Sequence, residues 1–132
     1  MSVILPLPLS FGHTELSGRI EILDPNELDG LDFGVIGFDA DGVVRAYNAF
    51  ESKAAGLSVA RVIGHPFFTV VAPCMNNYLV AQRFEDAAAA GTSLDATIDY
   101  VLTLRMRPVK VSLRLIASPD LRLRYVFVNR RH

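Results

Sequence analysis

The sequence has 132 residues, a length that suits one domain and is short for two. Hydrophobic residues make up 51% of the chain, so a core can form and disorder is not expected. The formal net charge of −1 argues against a general nucleic-acid binder, because such proteins are usually strongly basic. No apolar run reaches the roughly 18 residues that a membrane-spanning helix needs.

The N-terminus and the cysteine count indicate the cytoplasm. MSVILPLPLSFGHTE is apolar, but no basic residue precedes its apolar part and Pro6 and Pro8 interrupt it, which argues against a signal peptide. Cys74 is the single cysteine, so an internal disulfide is impossible, and this usage is typical of a reducing compartment. The histidines are scattered without CxxC or HExxH spacing, so we expect no metal site.

Residues 1–27 are predicted to form an N-terminal leader, or cap, ahead of a main domain at 28–132. Within and after the leader, GRIEIL (18–23) is predicted as a short strand, and DPNELDG as a capped helical turn that ends at Gly30.

The main domain begins with a predicted hairpin. LDFGVIGFD (31–39) and VVRAYN (43–48) flank Asp-Ala-Asp-Gly, where Gly42 can supply the positive φ of the turn. Three helical segments come next, each with a polar residue at its start and a glycine at its end: NAFESKAAG (48–56), SVARVIG (58–64) and NNYLVAQRFEDAAAAG (76–91). In the longest, Val80, Phe84 and Ala87 or Ala88 have helical spacing and are predicted to face the core.

The last third is predicted to be β. Its strand candidates are SLDATIDYVLTLRMR (93–107), VKVSLRLIAS (109–118) and LRLRYVFVNR (121–130). The last of them has the alternation of a strand with two different faces. One face carries Leu121, Leu123, Tyr125 and Phe127, and the other carries Arg122, Arg124, Val126 and Val128. Because all three helical segments lie between the second and third strands, we predict an α+β fold. It consists of an antiparallel sheet of about five strands with helices packed on one face, and room for a small ligand cavity between the two layers.

Several short motifs occur together and in a characteristic order. They are LDGLDFG (28–34), AYNAFE (46–51), VIGHPFF (62–68), VAPC (71–74) and MRPVKV (106–111). Each is weak alone, but YNxxE, VAPC and MxPxKV in this order are specific. On these motifs the chain resembles the PAS domain family and, within it, the photoactive yellow protein family.

The resemblance implies a blue-light photoreceptor that carries p-coumaric acid (4-hydroxycinnamic acid) as a thioester on Cys74. It implies that Tyr47 donates a hydrogen bond to the phenolate of this chromophore. Glu51 would be a buried, protonated acid that shares the phenolate and gives up its proton after trans–cis isomerisation. Met106 would lie over the chromophore and assist its thermal return. These residue types suit the task, because a buried phenolate must be hydrogen-bonded and burial keeps a carboxyl protonated.

The resemblance also shapes our expectations about partners. We expect no enzymatic activity, no nucleic acid and no membrane, but an unknown downstream signalling protein. A homodimer through the sheet or the N-terminal region is possible.

Two positions depart from the family pattern. Ala55 stands where a threonine normally bonds the tyrosine, and Leu57 where an arginine normally shields the phenyl ring. We expect shifted absorption or altered photocycle kinetics, with the site retained. The leader also matches the family poorly, which leaves its role open.

Simpler interpretations of the same residues remain open. Cys74 could be a buried small hydrophobe, and Tyr47 and Met106 could be ordinary core residues. Glu51 stands three residues after Asn48, which is the spacing of a capping box. The C-terminal arginines could mark a solvated sheet face, or an interface for an acidic partner or for the chain's own acidic half.

Two other functions compete with the photoreceptor. The domain could be a PAS module that binds a different small molecule without a light function. Alternatively, Cys74 could be an enzymatic nucleophile, although no histidine is placed in the sequence as an obvious base.

Overall fold

The computed structural model describes residues 9–103 and 108–130, and its centre is an antiparallel sheet. The strands are β1 (Gly34–Phe38), β2 (Val44–Tyr47), β3 (Leu94–Leu102), β4 (Val109–Ala117) and β5 (Arg124–Asn129). They lie in the order β2-β1-β5-β4-β3, and every neighbouring pair is antiparallel. The predicted α+β fold with a five-stranded sheet is therefore confirmed.

Helices precede the first strand and connect β2 to β3. They are α1 (Leu16–Arg19), a 3₁₀ turn (Ile20–Ile22), α2 (Pro25–Asp29), α3 (Ala49–Ala55), α4 (Val59–Val62), a π-helical turn (Phe67–Val71), a second 3₁₀ turn (Pro73–Met75) and α5 (Ala81–Ala90). The predicted caps of α3 are present: Asn48 accepts a hydrogen bond from the Glu51 amide at 3.1 Å, and Gly56 has a φ of 71°. Among the described residues, no helix has the length and apolar character that a membrane crossing requires.

The predicted strand at 18–23 is wrong. The segment lies in α1 and the 3₁₀ turn directly after it. Leu16 and Ile20 are both buried while Ile22 is 76% exposed, so burial recurs at four residues and not at two. This is the period of a helix.

The longest predicted helix begins later than expected. Asn77 forms the turn before it, because its side-chain oxygen accepts from the amides of Leu79 and Val80 at 3.0 and 3.1 Å. The helix proper starts at Ala81 and ends at Gly91, whose φ is 66°. Phe84 and Ala87 are buried as predicted, whereas Ala88 is exposed.

Each face of the sheet has its own core. The helix-side core includes Phe67, Phe84, Val126 and Val128. The N-terminal-side core joins Leu9, Leu16, Ile20, Phe33, Tyr125 and Phe127. The alternation predicted for the last strand therefore holds from Arg124 onward, and both of its faces are covered. Residues 9–20 supply much of the cover on the second face.

Candidate functional site

Cys74 lies in a tight turn at the edge of the helix-side core. The π-helical turn ends at Val71, and Pro73 begins the 3₁₀ turn that contains the cysteine. The side chain is neither fully buried nor exposed, and it packs against the helix-side core. Cys74 therefore lies in a short turn that proline begins, next to apolar side chains, and the residue is only partly buried.

Two side chains fix the backbone at Cys74. The Tyr100 hydroxyl donates to the Cys74 carbonyl at 2.5 Å, and the Asn77 amide nitrogen donates to the same carbonyl at 3.2 Å. Asn77 also donates to the Tyr100 oxygen at 2.6 Å. A surface groove of about 580 Å³ adjoins Tyr100 and is lined by Leu79, Asp99, Tyr100, Val101, Lys110 and Val111.

Tyr47 ends β2 inside the same core. It is 7% exposed and pairs across the sheet with Ile36. Burial raises the pKa of its phenol above the ordinary value of 10.0, the nearby Glu51 charge raises it further, and Arg130 acts in the opposite direction. At neutral pH the Tyr47 hydroxyl therefore keeps its proton and remains a hydrogen-bond donor.

Glu51 lies in the first turn of α3 and is 3% exposed. Its two carboxylate oxygens accept from the two terminal nitrogens of Arg130 at 2.5 and 2.9 Å. The Arg130 side chain is itself only 18% exposed. The acid is therefore engaged in a bidentate ion pair, the strong geometry for an arginine and a carboxylate.

The electrostatics of Glu51 are a balance of opposed effects. Burial raises the pKa of its carboxyl above the ordinary value of 4.5, while the hydrogen bonds and the charge of Arg130 lower it. Burial is the larger effect, so the pKa remains raised. A carboxyl in this position exchanges its proton at a higher pH than an exposed glutamate does.

The capping-box interpretation of Glu51 holds for its backbone and not for its side chain. The Glu51 amide donates to the Asn48 side chain, but the Asn48 amide donates to the Val35 carbonyl at 3.2 Å. The Glu51 carboxylate is turned to Arg130 instead. The side chain is thus free of the local helix cap and available for a partner elsewhere in the fold.

The remaining predicted positions lie near the same core or outside the described chain. Ala55 is 9% exposed at the end of α3, and Leu57 packs partly buried against the helix-side core. Neither departure from the family pattern lies on open surface, and Leu57 lies at this core. Met106 lies outside the described residues, so its role stays a prediction.

Sequence reasoning misses Arg130 and Tyr100. Arg130 is one of the C-terminal basic residues for which a solvated face and a contact with the chain's own acidic half are both open, and no partner is predicted for it. It continues the alternation of Val126 and Val128, whose side chains enter the helix-side core. This spacing of two residues is a signal from which the inward direction of Arg130 could be predicted. Tyr100 falls in a predicted strand, and nothing in the sequence indicates that its hydroxyl reaches the Cys74 carbonyl 26 positions away.

A known domain family matches most of the chain. A family model described as the PAS fold matches residues 28–131. The fold and the match make this chain a PAS-fold protein.

Named relatives narrow the class. The photoactive yellow protein of Rhodothalassium salexigens is 32% identical over 92% of this chain and 97% of its own length. That of Halochromatium salexigens is 34% identical over 80% of this chain and 83% of its own. The crystal structure of the photoactive yellow protein domain from the sensor histidine kinase Ppr of Rhodospirillum centenum superposes with a TM-score of 0.77. It is 38% identical and covers 85% of this chain and 97% of that domain. The chain belongs to the photoactive yellow protein family.

Proposed function

We propose that this chain is a cytoplasmic blue-light sensor whose chromophore, p-coumaric acid, is attached to Cys74 as a thioester. The proposal rests on family membership and on one observation of the structure. The single cysteine lies half-buried at the edge of the same core that encloses Tyr47. A thioester needs an accessible sulfur at one end, and a buried phenolate needs donors at the other.

The residues present fit such a group. Cys74 is a partly exposed residue, and its carbonyl accepts hydrogen bonds from Tyr100 and Asn77. Tyr47 keeps its phenolic proton because burial raises its pKa, and the charge of Glu51, in the first turn of α3, acts on the same phenol. With Glu51 protonated and turned from Arg130, the donors to the ligand would be a phenol and a carboxylic acid, which suits a phenolic oxygen that carries negative charge.

When bound, the cinnamoyl group would supply visible-light absorption and a double bond that isomerises. The other steps of the proposed mechanism are carried out by side chains of this protein. Tyr47 donates to the ligand oxygen and holds it in the core. Glu51 holds a proton at its carboxyl, which burial favours, and releases that proton when its own surroundings change. Met106 is proposed to pack over the ligand and to assist the return. The Ala55 and Leu57 departures are expected to shift the absorption or the recovery rate.

The signal is proposed to pass to a separate downstream protein. The photoactive yellow protein domain of Ppr belongs to a sensor histidine kinase, so a related domain can serve as the input of a signalling protein. We accordingly divide the chain into a cap at 1–27 and a sensing domain at 28–132. We propose no enzymatic role for Cys74.

Reconstitution tests the proposal directly. The purified chain is incubated with activated p-coumaric acid, and its intact mass and absorption spectrum are recorded with Cys74→Ala as the control. We expect one covalent adduct and a visible band that bleaches under blue light and recovers in the dark, both absent from the control. A wild-type chain that forms no adduct and no visible band would overturn the proposal. It would favour a PAS module for another small ligand.

A further inference from the structure

The Glu51–Arg130 pair joins two parts of the fold that are distant in sequence. Glu51 is in the first turn of α3, and Arg130 comes immediately after β5, 79 positions later. Both side chains are largely buried, at 4% and 18% exposure. Buried charges are costly unless they are paired, so this arrangement fixes where the carboxylate lies when it is ionised.

Gly34 makes room for this position of Glu51. A Cβ atom at residue 34 would overlap the Glu51 Oε1 atom and would lie 2.9 Å from its Cδ. Gly34 is the first residue of β1 and is paired with Val128 of β5, so the carboxylate passes close over the sheet backbone to reach Arg130. Any larger residue would push the carboxyl away from the arginine.

We propose that Arg130 is a positioning residue of the light-sensing site, which holds the Glu51 carboxylate whenever that carboxyl is not bonded to the ligand's phenolic oxygen. The inference rests on the proposed function and deepens it. Glu51 then has two positions. In one it is a protonated acid on the ligand oxygen, and in the other it is an ionised acid on Arg130.

This second position changes the consequence of proton release. An ionised Glu51 without a partner would be an isolated buried charge that loosens the fold. With Arg130 within hydrogen-bond distance, the carboxylate has a counter-charge. The ionised state is thereby stabilised, and its lifetime depends on the arginine. The change of charge also reaches the end of β5, at the C-terminal side of the domain.

Among the described residues, three other titratable groups lie at the pair or on α3 and its start. Tyr47 of β2 interacts with both members of the pair. Asp29 of α2 accepts from the Ala49 amide at the start of α3, and Lys53 is exposed on that helix. The effects of Arg130 substitutions should therefore appear mainly in the titration of Glu51.

The first test uses the protein without ligand. Chains labelled with ¹³C at the glutamate carboxyl carbon are titrated by NMR, and the Glu51 signal is assigned with Glu51→Gln. Arg130→Gln is expected to move the Glu51 midpoint upward by about one pH unit or more, because an adjacent opposite charge lowers a carboxyl pKa by roughly that amount. Arg130→Lys should restore part of the difference. Arg83→Gln, which removes the same charge from an exposed site on α5, should leave the midpoint unchanged.

Gly34→Ala provides an independent variant that alters neither charge. Its added methyl group displaces the carboxyl from Arg130 and should raise the Glu51 midpoint in the same direction. A midpoint that stays at the wild-type value in both Arg130→Gln and Gly34→Ala would overturn the inference. If Arg130→Gln does not fold, Gly34→Ala alone decides.

The second test uses the pigment-loaded protein. Arg130→Gln is expected to recover in the dark about tenfold faster than wild type, because removing the counter-charge raises the free energy of the ionised-Glu51 state. A recovery rate equal to wild type would refute the role in the light cycle. If the NMR midpoint moves but no variant loads pigment, the Arg130 contact stands and the proposed function fails. If pigment loads but the midpoint does not move, the proposed function stands and the Arg130 inference fails.

Discussion

Two arginine–carboxylate pairs of similar geometry lie on opposite faces of the sheet. Arg130 and Glu51 meet on the helix side, and Arg114 and Asp95 meet on the N-terminal side, both bidentate with bonds between 2.5 and 2.9 Å. Their burial is reversed. Glu51 is 4% exposed at its side chain, whereas Asp95 is 48% exposed and Arg114 is the buried partner at 7%.

The difference decides what each pair can do. An arginine keeps its charge at any physiological pH. A pair in which the arginine is the buried member is therefore present over the whole physiological pH range. Arg114 uses its remaining nitrogen to donate to the Phe11 and His13 carbonyls, which fastens the N-terminal segment to β4. A pair with the carboxylate buried can gain a proton, and its energy therefore depends on pH. One pair holds the fold together, and the other can respond to its surroundings.

The largest expected effect comes from Arg114→Ala. This change removes the bonds to Asp95 and leaves two backbone carbonyls without their donor, so we expect a loss of about 3 kcal/mol in the free energy of unfolding. Urea unfolding measures it, and limited proteolysis should show faster cleavage between residues 9 and 22. Arg83→Gln is the matched control, with an expected change within about 0.5 kcal/mol. A loss below about 1 kcal/mol for Arg114→Ala would contradict the attachment role.

The next largest effect is the pH dependence of the free energy of unfolding. Comparison with Glu51→Gln isolates the part that Glu51 contributes. A carboxyl whose pKa is raised on folding contributes stability below its unfolded value, and that contribution is lost as the pH rises through the folded value. The wild type should therefore lose about 1.4 kcal/mol for each unit by which the folded pKa exceeds the ordinary value of 4.5. The glutamine variant cannot titrate, so the difference between the two stability curves should change with pH over this window.

Urea unfolding of both proteins at a series of pH values above 4.5 measures that difference. A difference that is constant with pH, or that changes in the opposite direction, would show that Glu51 does not govern the response. The other carboxyl groups are common to both proteins and cancel in the comparison.

The smallest effect is expected for Asp95→Asn. The aspartate is half-exposed, and Arg114 keeps its bonds to the Phe11 and His13 carbonyls when the carboxylate is neutralised. We expect a loss of about 0.5 kcal/mol, typical of a partly exposed ion pair. Urea unfolding of this variant and of Arg114→Ala measures the two losses in the free energy of unfolding, and their ratio follows. If the two variants lose similar stability, the aspartate and not the carbonyls is the main partner of Arg114.

Local patterns in the sequence predict most of the fold. The caps at Asn48 and Gly56, the hairpin glycine at position 42 and the alternation near Val126 are short-range signals, and each is confirmed. The helical period of Leu16 and Ile20 is also present, but the β-branched residues of GRIEIL favour a strand. The start of α5 is missed because Asn77 bonds to amides that come before the helix begins.

Only part of the site can be predicted from the sequence. Motifs select Cys74, Tyr47 and Glu51, and the structure puts Tyr47 and Cys74 at one core. The orientation of Glu51 toward Arg130 depends on the close pairing of β1 with β5 and on the missing side chain at Gly34. Such long-range register arises from the assembled sheet and has no local signature.

Asn48, the cap of the helix that carries Glu51, leaves little freedom for substitution. Its oxygen accepts from the amides of Val35 and Glu51, and its nitrogen donates to the carbonyls of Leu28 and Phe33, at 2.9 to 3.1 Å. The side-chain amide thus has two donors and two acceptor positions, and all four are occupied. Aspartate would lose both donors, and an apolar residue would leave four groups unsatisfied. Substitutions can therefore act on the neighbours of this position, while the position itself tolerates no other side chain without losing hydrogen bonds.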